Sequence, residues 1–175
     1  MAVPIDPLTP AAGAGDMFLF VKGARAGVIK GESQDTAHPE EIEVLSWSWG
    51  MQATRNQVTG AAIGKASIQE LKIVKKIDSA STGLMVALRT NEPIKEARLT
   101  LRKSGKGQLE YLKILIENGR VVSLTLDGGT PPGSAQVVEH VAFAFNKITV
   151  EYVPQGKDGQ GKGAMLFQDE YENAQ

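Results

Sequence analysis

From Ile94 onward apolar and polar residues alternate with a period of two, and no other feature of this sequence restricts its fold so strongly. Ala97, Leu99 and Leu101 alternate with Glu96, Arg98, Thr100 and Arg102, and Leu112, Ile114 and Ile116 alternate with Tyr111, Lys113 and Leu115. Successive side chains of an extended chain point to opposite faces, so these stretches read as strands with one face turned inward. Val122, Leu124 and Leu126 follow an Asn118-Gly119 pair, the strongest short hairpin signal in the chain, which predicts a tight turn there. Gly128 to Gly133 predicts a second break. Val137 to Val153 then supplies a last long strand or strand pair, in which Val141, Phe143 and Phe145 alternate with Ala142 and Ala144.

Upstream, Asp16 to Lys22 is apolar on both faces and reads as a first strand interior to a sheet. Gly23 and Gly27 loosen the chain before a polar Lys30-Gly31-Glu32-Ser33 loop, and Thr36 to Pro39 reads as a surface turn that leaves His38 in solvent. The next strand carries both tryptophans. Leu45, Trp47 and Trp49 share one face, expected to be core, and Ser46 and Ser48 share the other. Ile42 and Val44 have the opposite parity, and a slip between apolar sets within one strand predicts a bulge or sharp bend.

The segment after Gly50 is long and poor in large apolar groups, and such loops are usually disordered or functional. Ser67 to Ile77 predicts another strand. Asp78 or Ser79 is placed to cap a short helix with Leu84, Met85 and Leu88 on one stripe, stopped by Asn91 and Pro93. Gly83 lowers the intrinsic stability of that helix by about 1 kcal/mol relative to Ala, so packing must hold it. Seven or so strands and one short α-helix predict a mainly β fold, an antiparallel barrel or sandwich of two sheets.

At 175 residues the chain is expected to form one domain, residues 16–155. A Pro- and Ala-rich flexible arm (1–15) precedes it, and a Gly-rich then acidic tail (156–175) follows. The arm has no basic start and no apolar run, so no secretory signal is read there, and no stretch is long enough to span a bilayer. Cytoplasmic synthesis is the expectation.

Candidate chemistry is sparse. With no cysteine there are no disulfides, thiolate metal sites or thiol nucleophile. Gly156 to Gly163 nearly fits a phosphate-cradling loop, but Gly163 stands where the metal-binding hydroxyl is needed and no periodic helix follows. His38 and His140 lie far apart with no serine elbow, so no hydrolytic triad is expected. Asp169, Glu170 and Glu172 read as a solvated acidic tail rather than a cation site. Arg98, Arg102 and Lys103 lack interleaved aromatics, and a net charge of -1 announces no nucleic-acid surface. No enzyme, cofactor or metal is expected.

The order of parts resembles the haemolysin-coregulated protein (Hcp) family, the inner-tube protein of the type VI secretion system. The resemblance rests on the Lys30–Ser33 loop, the acidic-aliphatic strand ending Trp47-Ser48-Trp49, the Gly-containing loop, Glu110 to Ile114 and Val141 to Gln155, and covers roughly Met17 to Gln155. It implies a homo-hexameric ring that stacks into a tube beside sheath and spike proteins. It further implies small effector proteins carried in the lumen and export without a signal peptide. Ser46 and Ser48 are then expected to face the lumen. Gln52, Arg55, Val58, Ile63 and Lys65 are expected in a loop that reaches the adjacent ring. The rival reading from the same strand pattern is a monomeric β-barrel module that binds a small ligand or peptide, which needs an apolar cavity.

Overall fold

The computed structural model describes residues 15–104, 107–129 and 131–171. The expected N-terminal arm therefore lies outside the described residues except at Gly15. Among the described residues eleven strands and one helix follow in order: β1 (Asp16–Gly23), β2 (Gly27–Val28), β3 (Ile42–Glu43), β4 (Ser46–Ser48), β5 (Met51–Gln52), β6 (Ser67–Ile68), β7 (Leu71–Lys76), α1 (Ser81–Arg89), β8 (Ile94–Arg102), β9 (Glu110–Gly128), β10 (Val137–Tyr152) and β11 (Met165–Glu170). All pairing is antiparallel, as expected, in one nine-stranded sheet and a separate β5–β6 ladder.

Two long strands shape the barrel. The first half of β9 pairs with β8 on one side and with the second half of β10 on the other, and β11 extends that sheet along β10. The second half of β9 pairs with the first half of β10, whose other neighbour is β7 and then β4. The β9–β10 ribbon thus passes from one sheet into the other. The chain from Ile42 to Ser48 closes the barrel, since β3 pairs with β1 and β4 pairs with β7. The parity slip between Val44 and Leu45 is this bend: one stretch must serve two sheets.

The predicted hairpin at Asn118-Gly119 does not form. Both halves of β9 find a partner in β10, so the positive φ of Asn118 (53°) is used at an irregularity inside one continuous strand. The register passes from Ala142 opposite Ser123 to Phe143 opposite Val121, which leaves Val122 over. Val121 is accordingly buried and Val122 is 41% exposed, where the alternation had pointed to Val122. Gly119 is required here because a Cβ would stand 2.6 Å from the Ala144 carbonyl oxygen.

The single strand expected from Ser67 to Ile77 is split into β6 and β7. β6 belongs instead to a hairpin that projects from the barrel. The helix begins later than expected, with Ala80 at its N-cap. Asp78 still serves its start by accepting the Ala80 amide proton at 2.9 Å. Leu84 and Ala87 are its buried apolar residues, and α1 packs against β9.

Leu19, Val21, Leu71, Ile73, Leu99, Ile114, Ile116, Val141, Phe143, Phe145 and Ile148 fill the interior. Trp47 and Trp49 are half-buried and pack against this core. Of the tail, Met165–Glu170 is the edge strand β11, and Met165, Leu166 and Phe167 are exposed on it.

Candidate functional site

The two sheets present opposite outer faces. The one built on β1, β8 and the first half of β9 is covered by the chain's own strap, residues 29–41, which contains the Lys30–Ser33 loop. Gly31 is needed there because a Cβ would lie 2.5 Å from the Glu41 carbonyl oxygen. The strap is tied to itself by Gly31 N–H to Glu40 O (2.8 Å) and Ser33 N–H to Glu41 O (3.0 Å).

Charge pins the strap to the sheet. Arg102, only 4% exposed, donates to Asp35 Oδ2 at 2.6 Å and Asp16 Oδ2 at 2.8 Å, and those carboxylates raise its pKa above the ordinary arginine value. His38 is buried, not solvated as its polar turn suggested. Its ring stacks on Phe18 with centroids 4.5 Å apart, and its two nitrogens meet Glu41 Oε2 at 3.0 Å and Glu110 Oε1 at 2.8 Å. Glu110 is drawn between burial, which would raise its pKa, and hydrogen bonds from Lys113 and His38, which outweigh it and lower the pKa. None of these partners was legible in the sequence, because Arg102, His38 and Glu110 belong to elements far apart along the chain.

This network makes the fold acid-sensitive. The Arg102 hydrogen bond holds Asp35 down to about 2, and the Ala26 amide followed by the Arg25 side chain hold Glu92 to about 2. A carboxylate whose folded pKa is depressed stabilises the fold above its unfolded pKa and loses that contribution as pH falls through the folded value. The Tm should therefore fall as the solution passes from about pH 4.5 toward about pH 2, with a shallower fall in Asp35→Asn. Melting curves that superimpose across that range would contradict this.

The other sheet, β4–β7–β10 and the second half of β9, has a bare outer face. Ser46 lies opposite Val74, Val74 opposite His140, and His140 opposite Thr125. Ser48, Lys72, Ala142 and Ser123 form the next row. Residues directly opposite one another share a face. Ser46 and Ser48 are both exposed, in a field of small and polar groups with Lys72, Thr125 and His140. His140 pairs with Asp127 at 3.2 Å. Of this face only the two serines were legible from local patterning; the parity of Lys72, Val74 and Lys76 is a further signal, but assigning their neighbours requires the register.

Under the opposite face of the same sheet lies a buried ionic cluster. Lys75 and Glu139 are paired residues, both 0% exposed, with Nζ and Oε2 3.0 Å apart. Lys75 Nζ also reaches Asp78 Oδ1 (2.8 Å) and Ser81 Oγ (3.0 Å), and Ser81 donates to Glu139 at 2.6 Å. The cluster joins β7 and β10 to the start of α1.

The segment expected to stack is a preformed hairpin rather than an irregular loop. Beyond the β5–β6 ladder, Arg55 bridges Ala62, and Ile63 N–H donates to Thr54 O at 2.8 Å. Residues 51–67 are all exposed, Val58 at 94% and Ile63 at 54%. Gln52, Arg55, Val58, Ile63 and Lys65 are thus brought together on one arm.

Residues 18–152, which span the strap, the bare face and the arm, match the family model described as type VI secretion system effector, Hcp. The chain belongs to the Hcp family. It is 37% identical over 151 residues to Protein hcp1 of Pseudomonas aeruginosa, covering 85% of this chain and 89% of that protein. It also resembles the crystal structure of Hcp1 from Salmonella typhimurium at 32% identity and a TM-score of 0.70, covering 90% of this chain and 95% of that one. Hcp1 of E. coli EAEC 042 shares the fold at a TM-score of 0.75 and 24% identity, over 90% of this chain and 99% of that one. Membership makes this chain a component of the type VI secretion system. β11 lies beyond the span that the family model matches. Among the described residues, no cluster of three or more histidine or carboxylate side chains is placed to hold a metal ion, and no helix is long and apolar enough to cross a membrane.

Proposed function

We propose that this chain forms homo-hexameric rings that stack into the inner tube of the secretion machine, with the bare face of the β4–β7–β10–β9 sheet turned to the lumen. The observation that carries the reading is the contrast between the sheets: one outer face is sealed by the strap, while the other exposes serine, threonine and lysine side chains. That sheet also ends in two unlike edges. β4 pairs only with β7, and β8 stops opposite Gly119, so among the described residues no strand lies beyond the second half of β9. Unlike edges meet head to tail, and such contacts close into a ring when the rotation allows.

In this reading Ser46 and Ser48 line the channel, the arm carrying Gln52, Arg55, Val58, Ile63 and Lys65 contacts the next ring, and effector proteins travel inside. The chain acts as a structural subunit rather than an enzyme. Assembly in the cytoplasm with sheath and spike proteins precedes export without a signal peptide. Size-exclusion chromatography with light scattering should give the mass of a hexamer, and Ser48→Gln should keep that mass while weakening retention of cargo. Rings of Ser48→Gln that retain cargo as the parent does would remove Ser48 from the lumen.

The alternative, a monomeric ligand-binding barrel, has little room. Phe143, Leu71, Leu99 and their neighbours fill the interior, and the groove of about 400 Å³ lined by Ile68, Lys95, Arg120 and Tyr171 lies where the β9–β10 ribbon bends. A monomeric mass would favour that alternative.

A further inference from the structure

We infer that the bare face is a docking surface for proteins with an acidic patch; this rests on the lumen reading above and adds the chemistry of the cargo. Unmatched positive charge lies on this face and not under the strap. Under and beside the strap, three cations each meet a carboxylate: Arg98 meets Glu41, Arg102 meets Asp35 and Asp16, and Lys113 meets Glu110. On the bare face Lys72 and Lys76 make no ion pair among the described residues, and Arg120 donates only to the Asn91 carbonyl oxygen, at 2.9 Å. The three share one face, since Lys72 lies opposite Ala142, Lys76 opposite Val138, and Arg120 opposite Ala144.

Acidic groups around this face do not cancel it. Asp127, at the end of the Lys76 row, accepts a contact from His140 at 3.2 Å and is the one carboxylate in these rows, against Lys72, Lys76 and Arg120. Glu32 and Glu43 border a small recess beside Lys76, and Glu70 lies in the groove with Arg120 and Lys95, but none of the three pairs with a cation of the face. The chain as a whole carries a net charge of -1, so this face is positive against the average of its own molecule.

Around the cations stand Ser46, Ser48, Ala142, Ser123 and Thr125, with Val74 and His140 between the two lysine rows, and the short side chains let a folded surface come within reach of the lysines. No Phe, Tyr or Trp ring stands on these rows to stack a base, and the one imidazole, His140, is held by Asp127 at 3.2 Å, which favours a protein over single-stranded nucleic acid. Repetition around a concave wall would focus the field of six such faces and draw in an acidic partner, with a strong dependence on salt.

The test uses the full chain and a fluorescein-labelled glutamate oligomer, with a labelled single-stranded DNA of similar length beside it, read by fluorescence anisotropy at low and physiological salt. The glutamate oligomer should bind, weaken about tenfold as salt rises, and weaken by a similar factor in Lys72→Glu/Lys76→Glu. Lys72→Gln should give a smaller loss, and light scattering should show each variant with the mass of its parent. Absence of binding, binding unchanged in both variants, or tighter binding of the DNA would each overturn the assignment. A monomeric mass would remove the ring, while the anisotropy still decides whether the face binds acidic protein.

Discussion

Lys75→Met should destabilise the fold by about 3–5 kcal/mol, the range found when one partner of a buried ion pair is removed. At roughly 2–4 °C per kcal/mol for a chain of this size, the Tm should fall by about 6–20 °C. The cost arises from what is left behind. Glu139 is 0% exposed, and without the ammonium group its Oε2 keeps only the Ser81 hydroxyl, while its Oε1 already has no partner. Asp78, which also serves the start of α1, loses its cation in the same step. Lys75→Met combined with Glu139→Leu should recover much of the loss, because an apolar pair needs no partner in that interior. A single variant that melts within about 2 °C of the parent would show that the cluster is hydrated in solution and contributes little.

Deleting Val58 to Ile63 should abolish tubes while leaving the barrel, and the proposed ring, intact. Residues 51–67 are exposed throughout, so the deletion removes no buried apolar surface, and shortening a surface loop changes stability by only a few tenths of a kcal/mol. A side chain as apolar as Val58 at 94% exposure gains by burial against another molecule, and the hairpin's own ladder holds it ready at little entropic cost. The melting temperature and the mass by light scattering should stay at the parent's values, and electron micrographs should contain rings without tubes. Tubes of normal length from the shortened chain would move ring stacking to another surface.

Local patterning accounts for much of this molecule. The alternation in β8, in the first half of β9 and around Phe143 yielded strands and the correct inward residues, and the parity slip after Val44 located the bend that closes the barrel. It worked because each of those strands has one face in a single core, so a period of two is all that burial requires. The serines at 46 and 48 could be placed outside by the same rule.

It failed where one signal has two structural uses. An Asn-Gly pair suits a turn and a strand irregularity equally, and only the availability of β10 along the whole of β9 chose the second, where Asn118 alone carries the positive φ. His38 looked solvated because its neighbours in sequence are polar. In space it lies under Glu41 and Glu110 and against Phe18, a long-range arrangement no local window contains. Lys75 follows the inward parity of Leu71 and Ile73, yet a lysine there reads as an exception until Glu139 is known to lie opposite it.

The sequence by itself determined the strands, their inward faces, the single helix and the family resemblance, because alternation and motif order are properties of neighbouring residues. Tertiary structure alone decided which polar residues are buried in pairs, which outer face the strap seals, and which cations stay unmatched, because charge compensation depends on distances between groups that the chain brings together only when it closes.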